Sequence, residues 1–191
     1  CERVFMQWSI GHLFPAISMG AHVTASPNHQ TGRAVPLKFR FDAAMAARLG
    51  FELQPCDMTE EDAAFSRRAL AEYKRIRPVV QFGDLYRLSS PYESRMASLM
   101  YVREDRAVVF AWLMDKWLAD APPPLRLKGL KPGTRYLLRE LNMDGNGSLT
   151  HVHEQVLGGD FLMNAGIRIN WKKTFQSVCL ECIEGIIYLN E

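Results

Sequence analysis

The chain changes character near residue 85, and that change limits its fold more than any single motif. Before it, apolar residues recur at helical spacing in two segments. Leu37, Phe41, Met45 and Leu49 fall one every four residues, on the face of a helix opened by Pro36 and closed by Gly50. Thr59-Glu-Glu-Asp62 opens a second helix, with a capping hydroxyl and acids set against the positive end of the helix dipole. Phe65, Ala69, Tyr73 and Ile76 form its buried face, and Pro78 is expected to stop it. Phe14 to Val23 is apolar nearly throughout and does not alternate, as in a strand buried on both faces of a parallel sheet.

After residue 85 the helical spacing ends. Met96 to Val102, Ala107 to Leu113, Tyr136 to Leu141, Phe161 to Ile167, Phe175 to Leu180 and Ile186 to Leu189 are short apolar or alternating runs. Turn chemistry separates them, including Pro122-Pro-Pro124, Lys131-Pro-Gly-Thr134 and Asp144-Gly-Asn-Gly147. Short strands at close spacing predict an antiparallel sandwich. The expected fold class is therefore α/β over residues 1–85, followed by an all-β antiparallel sandwich over residues 86–191.

Charge excludes two classes of partner. Lys and Arg number 23 against 21 Asp and Glu, a net charge of +2 spread along the 191 residues. That gives no electrostatic footprint for nucleic acid or an anionic membrane, and no apolar run approaches the ~20 residues that span a bilayer. The chain opens on Cys1 without the charged and apolar regions of a signal peptide. This start reads as an interior point of a longer protein, which leaves a signal peptide on the parent open. Four cysteines (Cys1, Cys56, Cys179, Cys182) are too few for a disulfide scaffold at this length, so a reducing, cytoplasmic compartment is the default expectation.

The stretch Ser18-Met-Gly-Ala-His-Val-Thr-Ala-Ser-Pro-Asn-His-Gln-Thr-Gly-Arg33 closely resembles a signature of glycoside hydrolase family 36 α-galactosidases. The resemblance continues in order through Gly50-Phe-Glu-Leu53, Tyr73-Lys-Arg-Ile-Arg77 and Gln81-Phe-Gly-Asp-Leu-Tyr-Arg-Leu88. It extends to Ser90-Pro-Tyr92, Leu127-Lys-Gly-Leu130, Tyr136 to Glu140 and Leu162-Met-Asn-Ala-Gly166. It implies a (β/α)8 barrel followed by a C-terminal antiparallel β domain. Residues 1–85 would be the barrel remnant, its last strand and helices, with Phe14 to Val23 as that strand and His22, Val23 and Thr24 at its C-terminal end. Barrel active sites lie on that face. The resemblance also implies a retaining mechanism with two aspartates. The family's Lys-Trp-Asp nucleophile motif is not in this sequence, and its acid/base aspartate would sit just before Cys1. No Asp or Glu lies between Arg3 and Arg40, so no catalytic carboxylate is assigned here.

His22, Asn28, His29 and Gln30 would then cluster near the barrel mouth, with His22, Asn28 and His29 as pocket-rim or substrate-binding candidates. The rival reading has them tie the loop down through hydrogen bonds to backbone. Neither they nor the trio His151, His153 and Glu154 makes a convincing metal site. Asn142 to Gly147 superficially resembles a calcium loop, but counting on places His153 where a bidentate Glu is needed, so a hairpin or longer loop is expected. Cys179-Leu-Glu-Cys182 has CxxC spacing within a strand, where packing thiols fit better than a redox pair. Trp112, Trp117 and Trp171 are either core filling or a sugar-stacking platform, the former favoured by the weight of aromatics in cores. The expected activity is that of the C-terminal portion of an α-galactosidase acting on melibiose- or raffinose-type α-galactosides. It would need no cofactor or metal, and the parent would be a homo-oligomer meeting its galactoside substrate through the complete enzyme. The alternatives are a non-catalytic carbohydrate-binding or structural β module, or a related transferase or an enzyme with another α-glycoside preference.

Overall fold

The computed structural model describes residues 2–115, 122–145 and 147–185. The first part alternates helix and strand: α1 (Glu2–Ile10), β1 (Gly20–Val23), α2 (Leu37–Met45), β2 (Arg48–Phe51) and α3 (Glu60–Phe82). β1 and β2 pair in parallel, with His22 opposite Gly50 and Val23 opposite Phe51. A parallel pair requires a crossover between its strands, and α2 supplies it. The second part contributes β3 (Asp84–Ser89), β4 (Met96–Arg103), β5 (Arg106–Leu113), β6 (Arg135–Leu141), β7 (Gln155–Gly158), α4 (Gly159–Asn164) and β8 (Ser177–Glu184). These strands form one six-stranded sheet in the order β3-β4-β5-β8-β6-β7, every neighbour antiparallel.

The sheet has an apolar surface on each face because side chains alternate along each strand. Leu99, Tyr101, Phe110 and Trp112 face α2 and α3 and pack into one cluster with Phe39, Phe41, Phe65 and Ile76. Met100, Val109, Leu138 and Leu180 face the other way, onto Leu125, Leu127, Ile167 and Trp171. Two facing sheets were expected. Among the described residues the second layer is instead irregular chain carrying two isolated bridges, Leu125 with Ile167 and Thr150 with Ile169. The first cluster runs across residue 85, so both parts of the chain share one core.

Buried polar groups join the two parts. Asp42 of α2 is fully buried and accepts hydrogen bonds from Lys38 Nζ, Asn142 Nδ2 and Ser177 Oγ, each at 2.7 Å. Burial opposes the charge on Lys38, but Asp42 beside it more than offsets this and raises the lysine pKa. Glu181, buried at the centre of β8, forms an ion pair with Arg75 of α3, while Arg106 and Arg139 approach it at 3.6 and 3.8 Å. Tyr101 of β4 donates its hydroxyl to Ala46 O at 2.8 Å, and Tyr73 of α3 does the same to Ala47 O at 2.9 Å.

Several expectations need correction. α1 carries no strong sequence signal, because Val4 is its only buried apolar residue. The apolar run from Phe14 is a 3-10 turn at Ala16–Ser18 and a strand only from Gly20, and Phe14 itself is exposed. Leu49 and Gly50 belong to β2 and not to the helix, which ends at Met45 and is buried nearly all round. α3 opens as expected, with Thr59 Oγ1 accepting from the Asp62 amide, but it runs through Pro78 to Phe82. Val79 and Val80 beyond the proline are buried, and their packing outweighs one missing backbone bond. Phe161 to Ile167 is mostly the helix α4, which buries Leu162 and exposes Phe161. β3 and β7 were not foreseen, and β8 starts at Ser177 rather than Phe175. Ile186 to Leu189 lies outside the described residues.

Candidate functional site at the ends of the parallel strands

The loop after β1 builds the site. Residues 24–35 leave the C-terminal end of the strand, and local hydrogen bonds fix their path. Asn28 Oδ1 accepts from the amides of Gln30 and Thr31, both at 3.0 Å, an Asx-type turn. The Asn28 amide donates to Arg33 O at 2.9 Å and closes the loop at its base. Ser26 Oγ accepts from the Val35 amide at 3.0 Å. Arg40, reaching up from α2, donates to Thr24 O at 2.5 Å and Val35 O at 3.2 Å and so clasps both ends of the loop. Burial lowers the Arg40 pKa from the usual arginine value.

Loop, α1 and α2 enclose a cavity of about 240 Å³, whose wall includes Met6, His22, Asn28, Arg33, Phe39 and Arg40. His22 projects at its rim, with Nδ1 2.5 Å from Glu52 Oε1. A side chain at position 50 would overlap the His22 ring, so Gly50 is the residue that lets the imidazole lie across β2. Glu2 is the one carboxylate among the described residues lining the cavity. A hydrogen bond from its own backbone amide, together with the paired Arg33 guanidinium, lowers its pKa. A carboxyl so held is ionised near neutral pH and is unsuited to act as a general acid.

The structure brings His22 and Asn28 together at the cavity, with Gln30 beside them, and leaves the exposed His29 outside its lining. Asn28 is occupied in holding the loop. Asn28→Ala is expected to lower stability by about 0.5–1.5 kcal/mol, since the amides it releases are near solvent. A shift in urea midpoint of that order checks it, and an unchanged midpoint with a large loss of turnover in the complete enzyme would assign Asn28 to the chemistry instead. Sequence reasoning missed Glu52, Arg33 and Arg40. Glu52 stands two residues after Gly50, and only the parallel register reveals that it meets His22.

The remaining candidates resolve into structure. Cys179 and Cys182 point to opposite faces of β8, one into each apolar cluster, so they cannot work as a pair. Burial pushes both thiols up, Cys182 to about 12. Trp112 stacks on Phe110 within the core and Trp171 is buried against the other face. Trp117 lies outside the described residues. His153 Nδ1 accepts from the Glu140 amide at 3.1 Å. Glu140 is itself buried, and its carboxylate gathers the amides of Leu149 and Thr150 at 3.2 Å each, so residues 148–150 fold over a carboxylate. No group of three or more His, Cys, Asp or Glu among the described residues is placed to hold a metal ion.

Two family models match the chain in succession. The one described as Melibiase covers residues 1–83, and the Glycosyl hydrolase family 36 C-terminal domain covers residues 96–181. Both describe parts of sugar-cleaving enzymes. The chain belongs to glycoside hydrolase family 36. Alpha-galactosidase AgaA of Geobacillus stearothermophilus is 37% identical over 176 residues, which is 91% of this chain and 22% of that enzyme. Alpha-galactosidase 2 of Hypocrea jecorina is 34% identical over 92% of this chain and 22% of its own length. The crystal structure of the family 36 α-galactosidase AgaB from G. stearothermophilus superposes with a TM-score of 0.83 at 35% identity. That superposition covers 96% of this chain and 24% of AgaB. A variant of AgaA solved with raffinose also gives a TM-score of 0.83, at 34% identity. The chain thus spans less than a quarter of the length of these relatives.

Proposed function

We propose that this chain is the C-terminal portion of a retaining α-galactosidase acting on terminal α-galactosides of the melibiose and raffinose type. The observation that carries the reading is the α1-β1-α2-β2-α3 alternation, in which β1 ends at the cavity that His22 lines and the parallel β2 ends beside it, bringing Glu52 against that imidazole. In a (β/α)8 barrel the site lies at that end of the strands. On this reading the barrel remnant supplies two strands rather than one. β1 pairs only with β2 among the described residues, and the exposed Met6, Ile10 and Phe14 beside it would be covered by earlier barrel segments. Retaining cleavage needs a nucleophilic carboxylate and an acid/base carboxyl about 5–5.5 Å apart. Both would come from parts of the complete enzyme that precede this chain. The residues present here would wall one side of the pocket. His22, held by Glu52, offers a hydrogen-bonding edge to a sugar hydroxyl, and Arg33 and Arg40 keep the loop in place. The galactoside is met only in the complete enzyme.

The complete enzyme is expected to release galactose from melibiose and raffinose, with the α-anomer formed first in a proton NMR time course. First appearance of the β-anomer would remove the retaining mechanism. No release from either sugar or from an aryl α-galactoside would remove the activity.

A further inference from the structure

Phe175 sits just before β8 with φ at 59°, the left-handed region that bulky residues avoid. Its surroundings hold it there. The Phe175 amide donates to Leu113 O at 3.0 Å, and the Leu113 amide donates to Gln176 O at 2.9 Å. The Gln176 side-chain oxygen accepts from the Lys172 and Lys173 amides at 2.7 and 3.0 Å. Strain of this kind persists only where the neighbouring structure over-determines it, and it gathers at functional sites.

The ring from this strained residue packs edge-on against Phe39 of α2, 5.9 Å between centroids at 77°. It also faces the Arg33 guanidinium, 5.8 Å from the ring centre. Phe39 and Arg33 both line the cavity. Arg33 further pairs with Glu2 of α1, and its carbonyl closes the base of the loop. Phe175, tied to β5 through Leu113 and lying just before β8, therefore links the antiparallel sheet to the cavity wall.

We infer that Phe175 is a positioning residue: it holds Arg33, and through it residues 24–33, so that the antiparallel sheet sets how tightly the complete enzyme binds its glycoside. The kinetic part of this inference rests on the proposed α-galactosidase activity. A cation held over a ring contributes modestly, so losing it changes affinity a few-fold and leaves the chemical step alone.

The test uses the complete enzyme. F175L and R33Q are each expected to raise KM for an aryl α-galactoside about fivefold, with kcat within about twofold. The double variant should be no worse than either single one, the mark of one shared interaction. F175Y keeps the ring and R33K keeps a cation, so both should stay near wild type. Amide exchange at Asn28 to Arg33 should quicken about tenfold in F175L while β4 and β5 are unchanged. Should F175L fail to fold, the contrast between R33K and R33Q decides, and equal effects overturn the inference. Additive KM effects, or unaltered exchange in the loop, also overturn it. Exchange needs no substrate. If the complete enzyme cleaves no α-galactoside, the proposed function falls and exchange alone decides the role of Phe175.

Discussion

Purified alone, the 191-residue chain is expected to release no measurable product from an aryl α-galactoside. The cavity holds one carboxylate among the described residues, Glu2, and that group is committed to Arg33. Glu52 lies outside the cavity lining, with its oxygen against His22. Neither arrangement supplies the two carboxyl groups across a sugar ring that retention requires. Acid/base catalysis alone is worth about 10²–10⁴-fold, and loss of the nucleophile closes the covalent route as well. A cooperative melting curve recorded on the same sample shows that the protein is folded. Turnover by that folded sample, surviving repeated purification, would mean that this part of the family carries its own catalytic pair.

Asp42→Ala should destabilise the chain by about 3–5 kcal/mol, the usual cost of breaking a buried ion pair from one side. The substitution strands Lys38, which is 8% exposed, and removes the acceptor for Asn142 and Ser177. Lys38→Met with Asp42→Leu should cost less than Asp42→Ala, because no charge is then left buried without a partner. The raised lysine pKa fixes the pH window. On the alkaline side, the stabilisation from the charged lysine is complete at neutral pH and is lost as pH climbs above the ordinary lysine value through the raised one. Urea denaturation at pH 7 measures both variants. A midpoint for Asp42→Ala within error of wild type would show that the two parts of the chain do not depend on this junction.

Local chemistry made some elements legible. The Thr59 cap and the acids behind it announce α3, because both act within one helical turn. β4, β5 and β6 are readable as unbroken or alternating apolar runs, since each is buried against a layer on one or both faces. The misreadings occurred where partners distant in sequence decide. Pro78 looks like a stop until Val79 and Val80 find the sheet to pack on. Gly50 looks like a helix end until β2 pairs with β1 and the His22 ring needs its space.

The site divides in the same way. The family resemblance, which reads Phe14 to Val23 as a barrel strand, set His22 and Asn28 at that strand's end, and both line the cavity. The sequence alone also determined the family resemblance, the lack of a catalytic carboxylate between Arg3 and Arg40, and the mixed-then-β order of elements. Tertiary structure decided that Glu52 meets His22, that Arg33 lies between Glu2 and Phe175, that the CxxC thiols part to opposite faces, and that Asp42 and Glu181 tie the helices to the sheet. The reason is physical. Caps, turns and apolar periodicity act over a few residues and are written in the chain, whereas strand register, buried ion pairs and buried hydrogen bonds join residues far apart, up to 135 positions for Ser177 with Asp42, and exist only once the core has closed.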